Sequence, residues 1–379
     1  MADEISVLIV DDSALMRNLI GRIVEDTPGL AIAEKAMNGM FALQKIPRVD
    51  PDIIILDLEM PEMNGIEFLK ERKKRGIDIP VVILSSIARR GAEITMEALS
   101  LGASDFIQKP SGSISEDIHV VKDTLLGMIF GYGGAYRKSK GKKVLAPSEY
   151  EAKTPAAKPS DIAVHFKLAT TPPVAPAEPP AQVRKPAKTE IIAIGISTGG
   201  PDALRVVFSK LDADLTVPIV VVQHMPAGFT NEFAKSLDRI CPLDVKEAEN
   251  GDEIKNGRIL IAQGNKHLEV ERKGLGAIAC LSDSPLVSGH RPSADVLFAS
   301  VARTYSNRAL GVIMTGMGRD GAQQLGYIYK EGGMTLGQDE QSAVVYGMPR
   351  VAWELGHVME QVSLENMARR ICDVAKTPR

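Results

Sequence analysis

The sequence predicts two α/β domains, each a doubly wound parallel sheet, joined by a proline-rich linker. Three observations carry this expectation. Short β-branched runs alternate with helical stretches from residue 5 to about residue 129, and the alternation resumes at residue 190. Between them, over residues 138–188, hydrophobic periodicity disappears and nine of the chain's 23 prolines fall among Ala, Lys and Thr. The bounds that follow are a first domain at 1–130, a linker at 131–188 and a second domain at 189–379.

In the first domain, strands are expected at 5–10, 32–36, 53–56, 81–84 and 105–107, with amphipathic helices at 13–25 and 66–75 between them. Proline-rich chain without a core prefers extended polyproline conformations, so the linker should space its neighbours without fixing their orientation. In the second domain, strands are expected at 191–196, 219–223, 258–261, 277–281, 310–314 and 335–336, with a helix over 202–210.

A chain of 379 residues, 44% hydrophobic and 25% charged, can bury two sizeable cores. The net charge of −3 gives no basic field for gripping phosphate backbones, so nucleic acid is not an expected partner. Three widely spaced cysteines, Cys241, Cys280 and Cys372, argue against a disulfide framework and suit a reducing compartment. The start, Met-Ala-Asp-Glu, lacks the basic and apolar regions of a secretory signal, and no apolar stretch approaches a membrane span. A cytoplasmic location without membrane insertion is therefore expected.

Asp11 and Asp12 follow the first strand and Asp57 follows the third, so three carboxylates should converge at the carboxyl edge of one parallel sheet, where ligands usually bind. Such a cluster repels itself unless a hard divalent cation neutralises it, and an all-oxygen set suits Mg²⁺. Ser85 after the fourth strand and Lys109 after the fifth add a hydroxyl and an ammonium suited to the oxygens of a phosphoryl group on Asp57. Helix capping accounts for any one of the acids alone, but for neither the lysine nor the hydroxyl.

Val10-Asp11-Asp12-Ser13, Leu56-Asp57-Leu58-Glu59-Met60-Pro61 with Gly65, Ser85, and Lys109-Pro110 together resemble the signature of response-regulator receiver domains, over residues 5 to about 130. The resemblance implies a flavodoxin-like fold, with Asp57 as acceptor of phosphate from a chemotaxis histidine kinase and Asp11 and Asp12 as metal-site acids. It further implies Ser85 and Lys109 as ligands of the phosphoryl oxygens, and Phe106 as the aromatic switch that couples phosphorylation to the outer surface.

In the second domain, Gly195-Ile196-Ser197-Thr198-Gly199-Gly200-Pro201 sets Ser197 on a strand-to-helix turn with the Gly-x-Ser-x-Gly spacing of a nucleophile elbow. A glycine-rich turn after a strand also serves as an anion cradle or as a plain turn, so its partners must decide. His224 follows the apolar run 219–222 and offers a general base if its strand neighbours that of Ser197. Asp320, in the loop Thr315-Gly316-Met317-Gly318-Arg319-Asp320-Gly321, is suited to orient it. Oxyanion donors are sought at Thr198, Gly199, Gly200 and Met317. His119, His165 and His357 read as surface or packing residues, while His290, in Ser288-Gly289-His290-Arg291-Pro292-Ser293-Ala294-Asp295, is a rival for the site. No cluster has zinc-like spacing, so no cofactor is expected for this chemistry.

The order Ser197, His224, Asp320 differs from that of α/β-hydrolases. The segments 195–201, Gln223-His224-Met225-Pro226 with Gly228-Phe229, 290–298 and 315–321 resemble the catalytic domain of the chemotaxis protein-glutamate methylesterase family, over about 190–375. The resemblance implies a Rossmann-like serine hydrolase with Ser197, His224 and Asp320 as its triad. It also implies phosphorylation-activated hydrolysis of glutamate γ-methyl esters on methyl-accepting chemoreceptors, with deamidation of receptor glutamines beside it. The alternative is a phosphorylation-controlled module that binds a nucleotide or partner without turnover.

Overall fold

The computed structural model describes residues 3–85, 89–109, 117–143, 179 and 181–377. The chain divides into two compact units, Met1–Val174 and Ala175–Arg379.

In the first unit, β1 (Ile5–Val10), β2 (Leu30–Ala36), β3 (Ile53–Asp57), β4 (Val81–Ser85) and β5 (Asp105–Gln108) form one parallel sheet in the order β2-β1-β3-β4-β5. Five helices connect and follow them: α1 (Ala14–Glu25), α2 (Gly39–Val49), α3 (Gly65–Lys74), α4 (Arg89–Ser100) and α5 (Asp117–Met128). Local chemistry starts these helices where the strands end. The Ser13 hydroxyl accepts the Met16 N–H at the head of α1, and Asn64 with Glu67 forms a reciprocal capping box at the head of α3. Every residue of β3 is buried, as expected of a central strand covered on both faces. The strand order reverses between β1 and β3, and Asp11 and Asp57 stand at that switch point.

The chain does not leave this unit at residue 130. A π-helical turn, Ile129–Gly133, and helix α6 (Gly134–Ser139) continue from α5. Buried Arg137 binds them down, donating from Nη1 to Asp52 Oδ2 at 2.7 Å and to the Glu4 carbonyl at 2.7 Å. Burial would raise the Asp52 carboxyl, but the Ser6 N–H and the Arg137 guanidinium hold it below its ordinary value. Three glycines in 131–134 blur the helical periodicity there, which is why the sequence places the linker from 131. Residues 144–178 and 180 of that linker, with His165, lie outside the described residues, as does Pro110.

In the second unit, seven parallel strands run in the order β14-β13-β12-β6-β7-β9-β8. They are β6 (Ile191–Ile196), β7 (Ile219–Gln223), β8 (Asp244–Glu247), β9 (Arg258–Ile261), β12 (Ala309–Ile313), β13 (Met334–Gln338) and β14 (Glu360–Val362). The strand expected at 277–281 is real but does not join this sheet. It is β11 (Gly276–Ser282), paired antiparallel with β10 (His267–Lys273) in a separate hairpin closed by Gly274 and Leu275. Gly274, at φ +59°, supplies the left-handed step of that turn. The short strands β8 and β14 carry charged residues, so no apolar run announces them in the sequence.

The helices of this unit are α7 (Gly200–Phe208), α8 (Phe229–Asp238), α9 (Ala294–Tyr305), α10 (Ala322–Lys330), α11 (Met348–Glu354) and α12 (Leu364–Lys376). β6 pairs with β7 on one side and β12 on the other, so the loops after all three strands open on one carboxyl edge.

Candidate functional site

At that edge the turn after β6 is closed by Gly200 N–H donating to the Ser197 carbonyl at 2.8 Å, while Ser197 N–H donates to the Thr315 carbonyl at 3.0 Å. A Cβ at Gly200 would come within 1.8 Å of Gln223 Oε1, so only glycine admits this packing. His224 follows β7, anchored by its N–H to the Ile196 carbonyl at 3.1 Å. Its Nδ1 lies 3.0 Å from Ser197 Oγ and its Nε2 lies 2.7 Å from Asp320 Oδ2. The structure thus brings together all three residues singled out from the sequence, in one hydrogen-bonded line.

Asp320 is held from a side the sequence does not advertise. It lies against the first turn of α9, accepting the Ser293 hydroxyl at 2.6 Å, the Ala294 N–H at 2.7 Å and the Asp295 N–H at 3.3 Å. Burial pushes its carboxyl up, but the bonds from His224, Ser293 and Ala294 outweigh that and hold it below its ordinary value. An ionised Asp320 requires a proton on His224 Nε2, which leaves the Nδ1 lone pair facing Ser197.

Among the described residues it is His224, and not His290, whose ring bonds to both Ser197 and Asp320. The His290 ring stacks on that of His224, centroids 3.9 Å apart and planes within 15°. Burial, reinforced by neighbouring His224, pushes its pKa down to about 4.

The oxyanion candidates separate. Gly200 is excluded because its N–H is committed to the Ser197 carbonyl, and Gly199, at φ +82°, is the left-handed step of the turn. Thr198 N–H and Met317 N–H make no hydrogen bond among the described residues, and the Thr315 hydroxyl, donating to the Thr198 carbonyl at 2.9 Å, ties their two loops together. Gln223, Ser293 and Thr315 stand behind the three expected residues. Gln223 and Ser293 lie inside motifs already quoted, but nothing in their spacing marks a role.

In the first unit, Asp11, Asp12 and Asp57 offer oxygens that lie within 4.8 Å of one another. Lys109 Nζ stands 2.7 Å from Asp57 Oδ2 and 3.3 Å from Asp11 Oδ2. Burial keeps the Asp57 and Asp11 carboxyls above their ordinary values even against the pull of Lys109. Asp11 Oδ2 is buried, and its one cationic neighbour among the described residues is the Lys109 ammonium at 3.3 Å. Three converging carboxylates with one ammonium among them leave excess negative charge, and that all-oxygen set fits a hard divalent cation. The Lys109 N–H donates to the Ser85 carbonyl at 2.7 Å, and the Ser85 hydroxyl shares a buried hydrogen bond with Thr95 Oγ1 at 2.6 Å. Phe106 lies buried on β5. At Gly65 a Cβ would meet the Asp57 carbonyl at 2.6 Å, so glycine lets α3 start directly beneath the acidic edge.

Two family models match the chain: a response regulator receiver domain over residues 7–119 and a CheB methylesterase over residues 192–371. A Treponema denticola protein called protein-glutamate methylesterase/protein-glutamine glutaminase is 60% identical over 97% of this chain and 98% of its own length. A protein of the same name from Treponema pallidum is 51% identical over 97% of this chain and 96% of its own length. Among solved structures, the Thermotoga maritima CheB methylesterase catalytic domain is 34% identical, with a TM-score of 0.48, and matches 50% of this chain and all of that one.

Proposed function

Because the chain belongs to the chemotaxis protein-glutamate methylesterases, enzymes of the CheB family that carry a response regulator receiver domain, we propose that Ser197, His224 and Asp320 perform its ester hydrolysis and that phosphorylation of Asp57 controls it. The observation that carries the first part is the unbroken line from Ser197 Oγ through His224 to Asp320.

Ser197 Oγ attacks the carbonyl carbon of a glutamyl γ-methyl ester on a methyl-accepting chemoreceptor, and its proton passes to His224 Nδ1. Asp320 faces the imidazolium so formed across the 2.7 Å contact at Nε2. The negative oxygen of the tetrahedral intermediate meets the N–H groups of Thr198 and Met317. As the C–O bond breaks, Nδ1 returns the proton to the departing methoxide, releasing methanol. Water then attacks the acyl carbon, giving its proton to the same nitrogen, and as the bond to Ser197 Oγ breaks, Nδ1 returns that proton to Oγ, leaving glutamate and the free serine. A glutamine amide follows the same course with ammonia as the leaving group.

Asp57 would take phosphate from a chemotaxis histidine kinase, with Mg²⁺ held by Asp11, Asp12 and Asp57 neutralising charge during transfer. Lys109 and Ser85 would hold the phosphoryl oxygens, and Phe106 would report the change to the surface of the unit. That Ser85 is now paired with Thr95 supports such a switch, because a new phosphoryl oxygen would compete for a hydroxyl already committed.

The test is methanol release from methylated receptors. Ser197→Ala should abolish it, and Asp57→Ala should lose the stimulation that acetyl phosphate gives the wild type. A fluorophosphonate probe should label Ser197. Wild-type methanol release by Ser197→Ala, or no labelling together with nucleotide-dependent thermal stabilisation, would favour a binding module instead.

A further inference from the structure

We propose that Gln223 is a positioning residue for the ester chemistry, its single amide NH₂ group holding the backbone carbonyls of Ser197 and His224 at once. The inference rests on the reading of Ser197 as nucleophile. Gln223 is the last residue of β7 and is buried. Its Nε2 donates to the Ser197 carbonyl at 3.0 Å and to the His224 carbonyl at 3.1 Å. The two acceptors belong to different loops, one after β6 and one after β7, so the amide spans the step across which the proton must travel. Its two N–H bonds diverge in one plane at a fixed angle, and that fork sets the separation of the two carbonyls.

The other end of the amide shows that this arrangement is not simply favourable packing. Gln223 Oε1 is buried and accepts no hydrogen bond among the described residues. It is pressed instead against Gly200, where a Cβ would lie 1.8 Å away. A buried unpaired acceptor destabilises the fold, and an apolar side chain of similar length would remove it in exchange for the two bonds donated to the Ser197 and His224 carbonyls. Turning the amide over does not help, because Oε1 would then face two carbonyl oxygens. A destabilising group kept behind a reactive pair is the pattern of a residue retained for geometry.

The geometry it protects is the 3.0 Å contact between Ser197 Oγ and His224 Nδ1. Without the fork, the Ser197 N–H still reaches the Thr315 carbonyl and the His224 N–H the Ile196 carbonyl, so the fold survives, while the carbonyl side of both residues is left unheld and the register between the two side chains loosens. Misplacement of this size acts on the reacting step far more than on substrate binding.

The experiment uses the full chain and compares Gln223→Met and Gln223→Glu with the wild type by fluorophosphonate labelling of Ser197, methanol release and thermal melting. Gln223→Met should melt within a few degrees of wild type, because the volume is conserved and removal of the orphaned oxygen offsets part of the two lost hydrogen bonds. Its kcat and its labelling rate should fall about 10- to 100-fold with KM little changed. Gln223→Glu supplies at most one donor when protonated and repels both carbonyls when ionised. Its kcat should therefore decline with rising pH across a range where the wild type does not. Wild-type kcat and labelling in Gln223→Met, a loss matching only the unfolded fraction, or a Gln223→Glu pH profile parallel to wild type would each overturn the role. If the wild type itself is not labelled at Ser197, the nucleophile assignment fails and this inference falls with it. A labelled wild type beside an equally labelled Gln223→Met would reject Gln223 alone.

Discussion

The carboxylate of Asp320 accepts the backbone N–H of Ala294 at 2.7 Å, so the acid that faces His224 is also the cap of helix α9. The side chain of Ser293, the residue in the ordinary capping position, makes no capping bond and donates to Asp320 instead. One carboxylate therefore completes a helix and orients an imidazole.

Asp320→Asn should lower kcat by about 10³- to 10⁴-fold, less than Ser197→Ala, because an orienting carboxylate supports the chemistry without performing it. Ser293→Ala removes one of the donors that lower the Asp320 pKa and should cost a smaller factor, about tenfold, with KM unchanged. Steady-state methanol release measures both. Equal residual rates for Asp320→Asn and Ser197→Ala would contradict the division of roles.

His290 predicts an acid-sensitive stability. Its folded pKa of about 4 lies below its ordinary 6.5, so between these values the unfolded chain takes up a proton that the folded protein refuses. The stability is fully present above about pH 6.5 and is lost as pH falls toward 4. His290→Phe keeps a stacking ring without a titrating nitrogen and should flatten this slope, a difference on the order of 1–3 kcal/mol at the acid end. Urea unfolding of both proteins at pH 7 and pH 4.5 measures it, and parallel losses would refute it.

The acidic pocket predicts a pH dependence of opposite sign to that of a stabilising ion pair, and a response to metal beside it. Raised carboxyl pKa values at Asp11 and Asp57 mean that their ionised forms weaken the metal-free fold at neutral pH, and that this cost disappears as pH falls through the folded values. Mg²⁺ at a hundredfold excess over its Kd should stabilise the wild type by about 2.7 kcal/mol. Asp57→Asn should melt no lower than metal-free wild type and should lose most of the Mg²⁺ response. Calorimetry with and without EDTA decides; an unchanged Mg²⁺ response in Asp57→Asn would remove that carboxylate from the site.

Arg137 predicts where the first unit ends. Arg137→Ala removes one of two cations from the buried carboxylate of Asp52, which keeps Lys142 at 3.3 Å and the Ser6 donors, and should cost about 1–3 kcal/mol. A fragment ending at residue 130 should be destabilised at least as much as this variant. Equal melting of fragments ending at 130 and at 143 would show the extension to be a passive tail.

The sequence by itself determined the two α/β units, the strand ends that carry Asp57 and Ser197, and the identity of the residues gathered at each edge. Those features are local: β-branched runs make strands, and glycine with capping residues starts the helices beside them. Only the tertiary structure decided that β10 and β11 stand outside the parallel sheet, and that residues 129–139 belong to the first unit. It alone showed that Gly200 N–H is committed and that Asp320 caps α9. Each of these depends on which strand or helix end lies beside which. A hydrogen bond such as that from Ser293 to Asp320 joins residues 27 positions apart, and no periodicity in the chain encodes a pairing at that distance.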